Sequence, residues 1–272
     1  MLKILQKKFI SYCEIEIQNY MPKKILIVTY ALPEELDVDA LKEVQRDQEN
    51  FLVSKMNWFQ KWMRRHSQMK DIEVVFVKTG VGKLNSYTTL RKVLKITRDM
   101  APADAEITVL NLGTAASANE DIGIIVNPKR FLDRSLVHLK DSGYLIEDDY
   151  VVPEEFLDLE DCTEPVPEPD YEEFLPETGE RRYSCNSGDT FATTVEDAYQ
   201  LRDGWTAVCD MEAFAQAKLC STYPGKIKFI CWKYITDKIG ENSLSVWEET
   251  LQEANVELTR IGMDYIREIY NS

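Results

Sequence analysis

Val208-Cys209-Asp210-Met211-Glu212-Ala213-Phe214-Ala215-Gln216-Ala217 joins an apolar run to a run of small residues through a pair of carboxylates. Trp205 to Asp210 reads as a buried strand, and Met211 to Ser221 as the helix that follows at once. Glu is rarely buried without a partner, so Glu212 at this junction has one of two duties. Its charge suits the positive end of a helix dipole, where it would open the helix. Alternatively, a polar ligand sits against it. Spacing alone leaves both open.

Outward from this junction the same alternation repeats. Lys24 to Tyr30, Ile72 to Lys78, Glu106 to Leu112 (closed by Gly113) and Lys226 to Tyr234 read as buried strands. Asp39 to Met69, Lys83 to Met100 and Leu244 to Tyr270 read as helices. Gly123 to Asn127 is short and strand-like. After the turn Ser187-Gly188-Asp189, either Asp189 or Thr190 is suited to cap a helix running to about Leu201. Strands alternating with helices predict an α/β domain around a mostly parallel sheet. No repeat or linker divides the chain, so residues 23–272 are expected to form one domain, with residues 1–22 as an appendage.

Composition narrows the function classes. An apolar fraction of 44% over 272 residues supports an ordinary core. No run reaches the roughly 20 apolar residues of a membrane helix. The start lacks the continuous apolar stretch and cleavage site of a signal peptide, and the expected location is the cytoplasm. Six cysteines without CxxC spacing speak for buried free thiols rather than disulfides or zinc. The net charge of -15 is local: residues 141–180 hold 16 acidic side chains, five prolines and no Lys or Arg. Outside that insert, 31 acidic side chains face 32 basic ones. The insert reads as a solvated loop, with a lid or a docking arm as alternatives. With no basic stripe, nothing points to nucleic acid.

In parallel sheets, ligands bind beyond the carboxyl ends of the strands. Those ends offer Glu34-Glu35, Thr79-Gly80, Gly113-Thr114, Met211-Glu212 and Thr236-Asp237. Carboxylates and small polar turns suit a neutral polyol or sugar with an acid or base beside it. Thr79-Gly80-Val81-Gly82-Lys83 lacks the spacing of a phosphate loop. His66 and His138 lie away from these ends and read as surface residues.

Seven segments carry a family resemblance in their order along the chain. They are Ile25–Leu36 (ILIVTYALPEEL), Val77–Ser86 (VKTGVGKLNS), Val109–Ser117 (VLNLGTAAS), Asp121–Val126 (DIGIIV), Ser187–Thr193 (SGDTFAT), Val208–Cys220 (VCDMEAFAQAKLC) and Tyr234–Ser243 (YITDKIGENS). The chain resembles the purine nucleoside phosphorylase superfamily, within it the 5'-methylthioadenosine/S-adenosylhomocysteine nucleosidases. The resemblance implies a three-layer αβα fold with a mixed, mostly parallel sheet. It implies an N-glycosyl hydrolase that needs no cofactor or metal, takes a purine nucleoside and forms a homo-oligomer. It also implies roles. Glu35, with Glu34 as the second choice, activates water. Glu212 accepts hydrogen bonds from the sugar hydroxyls, and Met211 packs on the sugar. Asp237, beside Thr236, is the general acid. Phe191 stacks on the purine, and the turn Gly113-Thr114-Ala115-Ala116 lines sugar and base. Asp210 and Lys233 complete the substrate-binding set.

A phosphorylase must hold a dianion, which calls for Arg or Lys. Related phosphorylases carry an Arg where this chain has Asn111, and the loop after the first strand is acidic here, which favours water as nucleophile. Departures from the nucleosidases are a long Trp-containing helix in place of a hairpin, Lys233 in place of an Arg, and Thr114 and Ala116 in place of Ser and Gly. They leave the 5'-substituent of the substrate open.

Overall fold

The computed structural model describes residues 22–55, 72–134, 157–158, 182–198, 205–225, 227–240 and 242–271. The N-terminal appendage, nearly all of the acidic insert, both histidines, Cys13 and Cys162 lie outside these residues.

Strand β1 (Lys24–Tyr30) shows why the chain layers as it does. Its five inner residues are all buried, as a strand covered on both faces requires. Ile25 and Ile27 point into one core with Leu90 and Leu94 of helix α2 (Lys83–Met100) and with Phe214 and Leu219 of helix α3 (Ala213–Thr222). Leu26 and Val28 point the other way, into a core with Leu41 of helix α1 (Val38–Lys55) and Leu258, Ile261 and Ile266 of helix α4 (Ser243–Asn271). The alternation of one strand thus builds three layers, helix on sheet on helix.

The sheet has nine strands among the described residues. The others are β2 (Ile72–Lys78), β3 (Glu106–Ser117), β4 (Ile125–Val126), β5 (Arg130–Asp133), β6 (Leu157–Asp158), β7 (Arg182–Ser187), β8 (Trp205–Asp210) and β9 (Ile227–Lys238). It is mixed and mostly parallel, as expected: five of its eight pairings are parallel. Strand β3 is the branch point. Its first half pairs with β1, all but its first residue runs beside β9, and its last two residues, Ala116 and Ser117, pair antiparallel with β8. Between β1 and β8 lie Leu112 to Ala115, and the candidate residues gather there.

Several expected boundaries moved. Strand β3 does not close at Gly113 but runs on to Ser117, and β9 runs past Tyr234 to Lys238. Gly113-Thr114 and Thr236-Asp237 therefore lie within paired strands rather than in loops beyond them. No helix starts at Asp189 or Thr190; the described residues hold only a short 3-10 turn, Val195–Ala198. Asp189 instead accepts the Lys83 N–H at the start of α2, 2.8 Å away, so its capping carboxylate serves a helix distant in sequence. Helix α3 begins at Ala213 rather than Met211. The short strand-like reading at Gly123 to Asn127 shrinks to Ile125–Val126. Strands β5 and β7, with Ser, Asn and Arg among few apolar residues, gave no clear period-two signal.

Candidate active site

Glu35 ends a 3-10 turn, Pro33–Glu35, just after β1. Glu34 faces solvent while Glu35 is 4% exposed, so the turn sends only the second carboxylate inward. Every bond to that carboxylate comes from a donor. Oε2 accepts the Ala31 and Leu32 N–H groups at 3.1 and 3.0 Å, and Oε1 accepts the Thr114 N–H and hydroxyl at 3.3 and 2.9 Å. The hydroxyl of Thr114 has a single proton, which goes to Glu35. It is oriented by the Trp247 indole N–H, which donates to Thr114 Oγ1 at 3.0 Å. Trp247 also meets Phe191 edge to face, with ring centroids 6.1 Å apart.

Glu212 stands at the start of α3 but does not cap it. The helix is capped by others: Asp210 Oδ2 accepts the Ala213 N–H at 2.9 Å, and Ser187 Oγ accepts the Phe214 N–H at 2.8 Å. Glu212 Oε1 instead accepts the Gly82 N–H at 2.8 Å, reaching across to the first turn of α2. Glu212 keeps the N-cap position of its own helix but makes no side-chain cap bond to it. Burial, with the Asp210 and Glu35 carboxylates nearby, pushes its pKa from 4.5 to about 8 against the opposing pull of Lys233 and the Gly82 N–H.

Asp210 and Lys233 form a buried ion pair, 2.7 Å apart, with each side chain only 1% exposed. Burial opposes both charges, but each outweighs that for the other. Asp210 is held below the usual carboxylate range and Lys233 well above the usual ammonium value. The hydroxyl of Ser187 adds a bond to Asp210 Oδ1. Such a pair is costly to desolvate and costlier to break, because either partner alone would be an uncompensated buried charge. The pair underlies the carboxylates rather than facing outward. Gly113, the register partner of Lys233, makes room for it. A Cβ at Gly113 would stand 3.0 Å from Lys233 Nζ, tight enough that the paired ammonium would have to shift, and at an ordinary contact distance of 3.8 Å from Glu35 Oε1.

Asp237 lies three register steps further along, opposite Ala116 across a bulge that inserts Thr236 into β9. The carboxylate is 2% exposed. It accepts the Thr236 hydroxyl at 2.8 Å and the Ser243 hydroxyl at the start of α4. Burial raises its pKa above the ordinary value, and those two hydroxyl bonds oppose the rise. Ala115 is buried beside it in β3, and Met211 is half-buried.

These placements bring Glu35, Glu212, Asp210 and Lys233 together around Gly113. Thr114, Trp247 and Phe191 extend the group on one side, and Asp237 stands opposite Ala116, two residues along β3 from Thr114. The sequence had not singled out Trp247, Ser187 or Ser243. Ser187 lay inside a quoted segment, but nothing marks its hydroxyl as the cap of a helix 26 residues on. Among the described residues no group of three or more His, Cys, Asp or Glu is arranged to hold a metal. The four described cysteines are free and buried, and burial raises the thiol pKa of each. Among the described residues, no helix is long and apolar enough to cross a membrane.

The strand order and layers are those of the nucleoside phosphorylase-like fold. Solved structures that share it include a mutant 5'-methylthioadenosine/S-adenosylhomocysteine nucleosidase of Helicobacter pylori with 5'-methylthioadenosine in its active site. That match is 13% identical, covers 90% of this chain and 100% of the other, and has a TM-score of 0.52. The futalosine hydrolase of the same organism matches at 11% identity, over 90% and 98% of the two chains, with a TM-score of 0.54. A Colwellia psychrerythraea 5'-methylthioadenosine/S-adenosylhomocysteine nucleosidase in complex with adenine matches at 19% identity, over 90% and 96%, with a TM-score of 0.51. No protein-family model and no curated protein matches the chain in sequence.

Proposed function

We propose that this chain is a purine nucleosidase that hydrolyses the N-glycosidic bond of an adenosine-type nucleoside such as 5'-methylthioadenosine. The observation that carries this reading is the pair Glu35 and Glu212, two buried carboxylates at the ends of different strands, close enough that the charge of Glu35 helps raise the pKa of Glu212. The acid Asp237 stands near the end of β9. Solved structures of this fold holding 5'-methylthioadenosine and adenine support the substrate class.

Each group has a step. Water adds to the anomeric carbon as the bond to the purine nitrogen breaks, and that electron pair leaves with the base. Asp237, whose carboxyl burial biases toward the protonated form, is the acid that gives a proton to the departing purine at N7. Glu35 takes the proton of the attacking water, and the sugar is released with a new hydroxyl. Carboxylates at the sugar face stabilise the oxocarbenium character of the transition state. Glu212 receives the sugar hydroxyls, Met211 packs on the ring, and Phe191 covers the base.

Water rather than phosphate fits the charges. The first amides of α2, a natural anion seat, already hold Glu212 and Asp189. Lys83 is paired with Asp133 and Asp189, and Lys233 with Asp210. Asn111 is buried in a network with Thr29 and Gln216. A phosphate dianion would have to displace a carboxylate.

The test is a panel of purine nucleosides incubated with purified protein in phosphate-free buffer, with free base detected by chromatography. Base released without phosphate is the expected result. Release only on adding phosphate would make the chain a phosphorylase, and no release in either condition would end the nucleosidase reading.

A further inference from the structure

The loop that carries Phe191 is wrapped around one buried arginine that the reaction does not use. Arg134 follows β5 directly, beside the end of β7, and is 3% exposed. It touches the loop at its beginning, middle and end. At the beginning, Gly188 lies flat against the guanidinium: a Cβ there would stand 2.4 Å from both Nε and Nη2 and 2.7 Å from Cζ. In the middle, Nη2 donates to the Thr190 carbonyl, the residue before Phe191. At the end, Nη1 stands 3.4 Å from Asp197 Oδ1, an ion pair without the angle of a hydrogen bond.

Asp197 closes the circuit. Its other oxygen accepts the Thr193 and Thr194 N–H groups at 2.9 and 3.1 Å, and its own carbonyl accepts the Asn186 amide at 3.2 Å. Between these anchors Phe191 stands 37% exposed, with its edge against Trp247. The loop has no helix or strand of its own between Ser187 and Val195, so these bonds supply what a backbone ladder would elsewhere. A planar fork serves here where an ammonium would not, because it can face a carbonyl and a carboxylate while a glycine stacks on it.

We propose that Arg134 is a positioning residue: by holding the loop from Gly188 to Asp197 it fixes Phe191 and so sets how tightly the purine is held, without touching it. This rests on the reading of Phe191 as the platform for the base. The discriminating pair of variants is Arg134→Met and Gly188→Ala, each first checked for a folded far-UV spectrum. Both are expected to raise KM for the nucleoside about tenfold while kcat at saturation stays within about threefold. The two act on one contact, so Gly188→Ala should add little further in the Arg134→Met background, where a flexible side chain replaces the rigid fork.

Hydrogen exchange over residues 188–198 gives a readout that does not need catalysis. Each variant should speed exchange in that segment at least about tenfold relative to wild type. Should wild-type protein cleave no nucleoside, the functional reading fails while the exchange measurement still judges the strap. Should Arg134→Met fail to fold, Gly188→Ala decides alone. Unchanged exchange and unchanged KM in a folded variant, or a loss confined to kcat, would overturn the proposal.

Discussion

The floor of the site and its rim are built by different means. The floor, around Gly113, is made of strand ends: β3 and β9 in register, with Glu35 bound to four donors and Lys233 locked to Asp210. The rim loop, Gly188 to Ala198, hangs mainly on side-chain contacts to Arg134 and Asp197. Strand registers fix atoms to tenths of an ångström, as proton transfer demands. A loop held by side chains has no such register to place it. The contrast assigns the proton transfers to Glu35 and Asp237 on the floor and the hold on the base to the rim, and it fails if substitutions at Glu35 or Asp237 move KM alone.

Asp237→Asn should produce the largest effect. Asn keeps the shape, with its amide oxygen accepting one of the two hydroxyls and its NH2 donating to the other, but it has no acidic proton to give. Turnover should fall by about 10²–10⁴-fold with an unchanged melting temperature, measured as single-turnover release of base. Full activity in this variant would remove Asp237 from the chemistry. Lys233→Met comes next and acts on stability. It strands the Asp210 charge at 1% exposure, and breaking such a pair costs about 3–5 kcal/mol. Urea unfolding should show that loss. A midpoint equal to wild type would mean the pair does not hold the floor.

Glu212 gives a smaller, pH-dependent effect. Its folded pKa, about 8, lies above the ordinary 4.5, so the folded chain keeps a proton that the unfolded chain has lost between those values. The stability tied to this group is complete below about 4.5 and is lost as pH climbs through about 8. Melting temperature should fall across that window, and Glu212→Gln should flatten the fall. The same proton governs binding. Sugar hydroxyls donate to a carboxylate, so KM should drop as pH rises toward 8, by no more than about tenfold per unit. A flat wild-type KM between about pH 6 and 8 would take the sugar hydroxyls away from Glu212.

The floor was far more legible in the sequence than the rim. Strands β1 and β8 announce themselves as short apolar runs whose ends carry Glu34-Glu35 and Glu212, and the family resemblance chose Glu35 over Glu34. Asp237 was named with its loop misplaced, because the strand that holds it continues past the apolar run into Thr-Asp-Lys. Composition cannot say where pairing stops when the final residues are polar. Asp210 and Lys233 were named as substrate contacts, yet their partner in the structure is each other. A strand pattern shows which residues face inward but not which of them meet. Asp189 illustrates the same limit on the rim. As a turn residue before Thr190 it looked like a local cap, whereas its carboxylate reaches Lys83, 106 residues back. Arg134 gave no signal at all, since one Arg after a weak strand looks like any surface charge.

Trp247 joins the two regions, and its substitution is the smallest effect expected and the sharpest test of the division. The indole N–H donates to Thr114 Oγ1, which leaves the hydroxyl proton aimed at Glu35, while the ring edge meets Phe191 on the rim. Trp247→Phe keeps an aromatic ring and deletes the N–H together with part of the indole's area. Freed of its donor, the Thr114 hydroxyl turns, and Glu35 loses orientation on one oxygen. A net hydrogen bond is worth about 1 kcal/mol, so kcat should fall about fivefold with KM nearly constant. Thr114→Val should lower kcat at least as far, and adding Trp247→Phe to it should cost nothing more, because the bond is already gone. Thr114→Ser, which retains the hydroxyl, should restore the response to Trp247→Phe. If Trp247→Phe instead raises KM and spares kcat, the indole belongs with Phe191 as part of the purine platform, and the boundary between floor and rim runs through Thr114 rather than through Trp247.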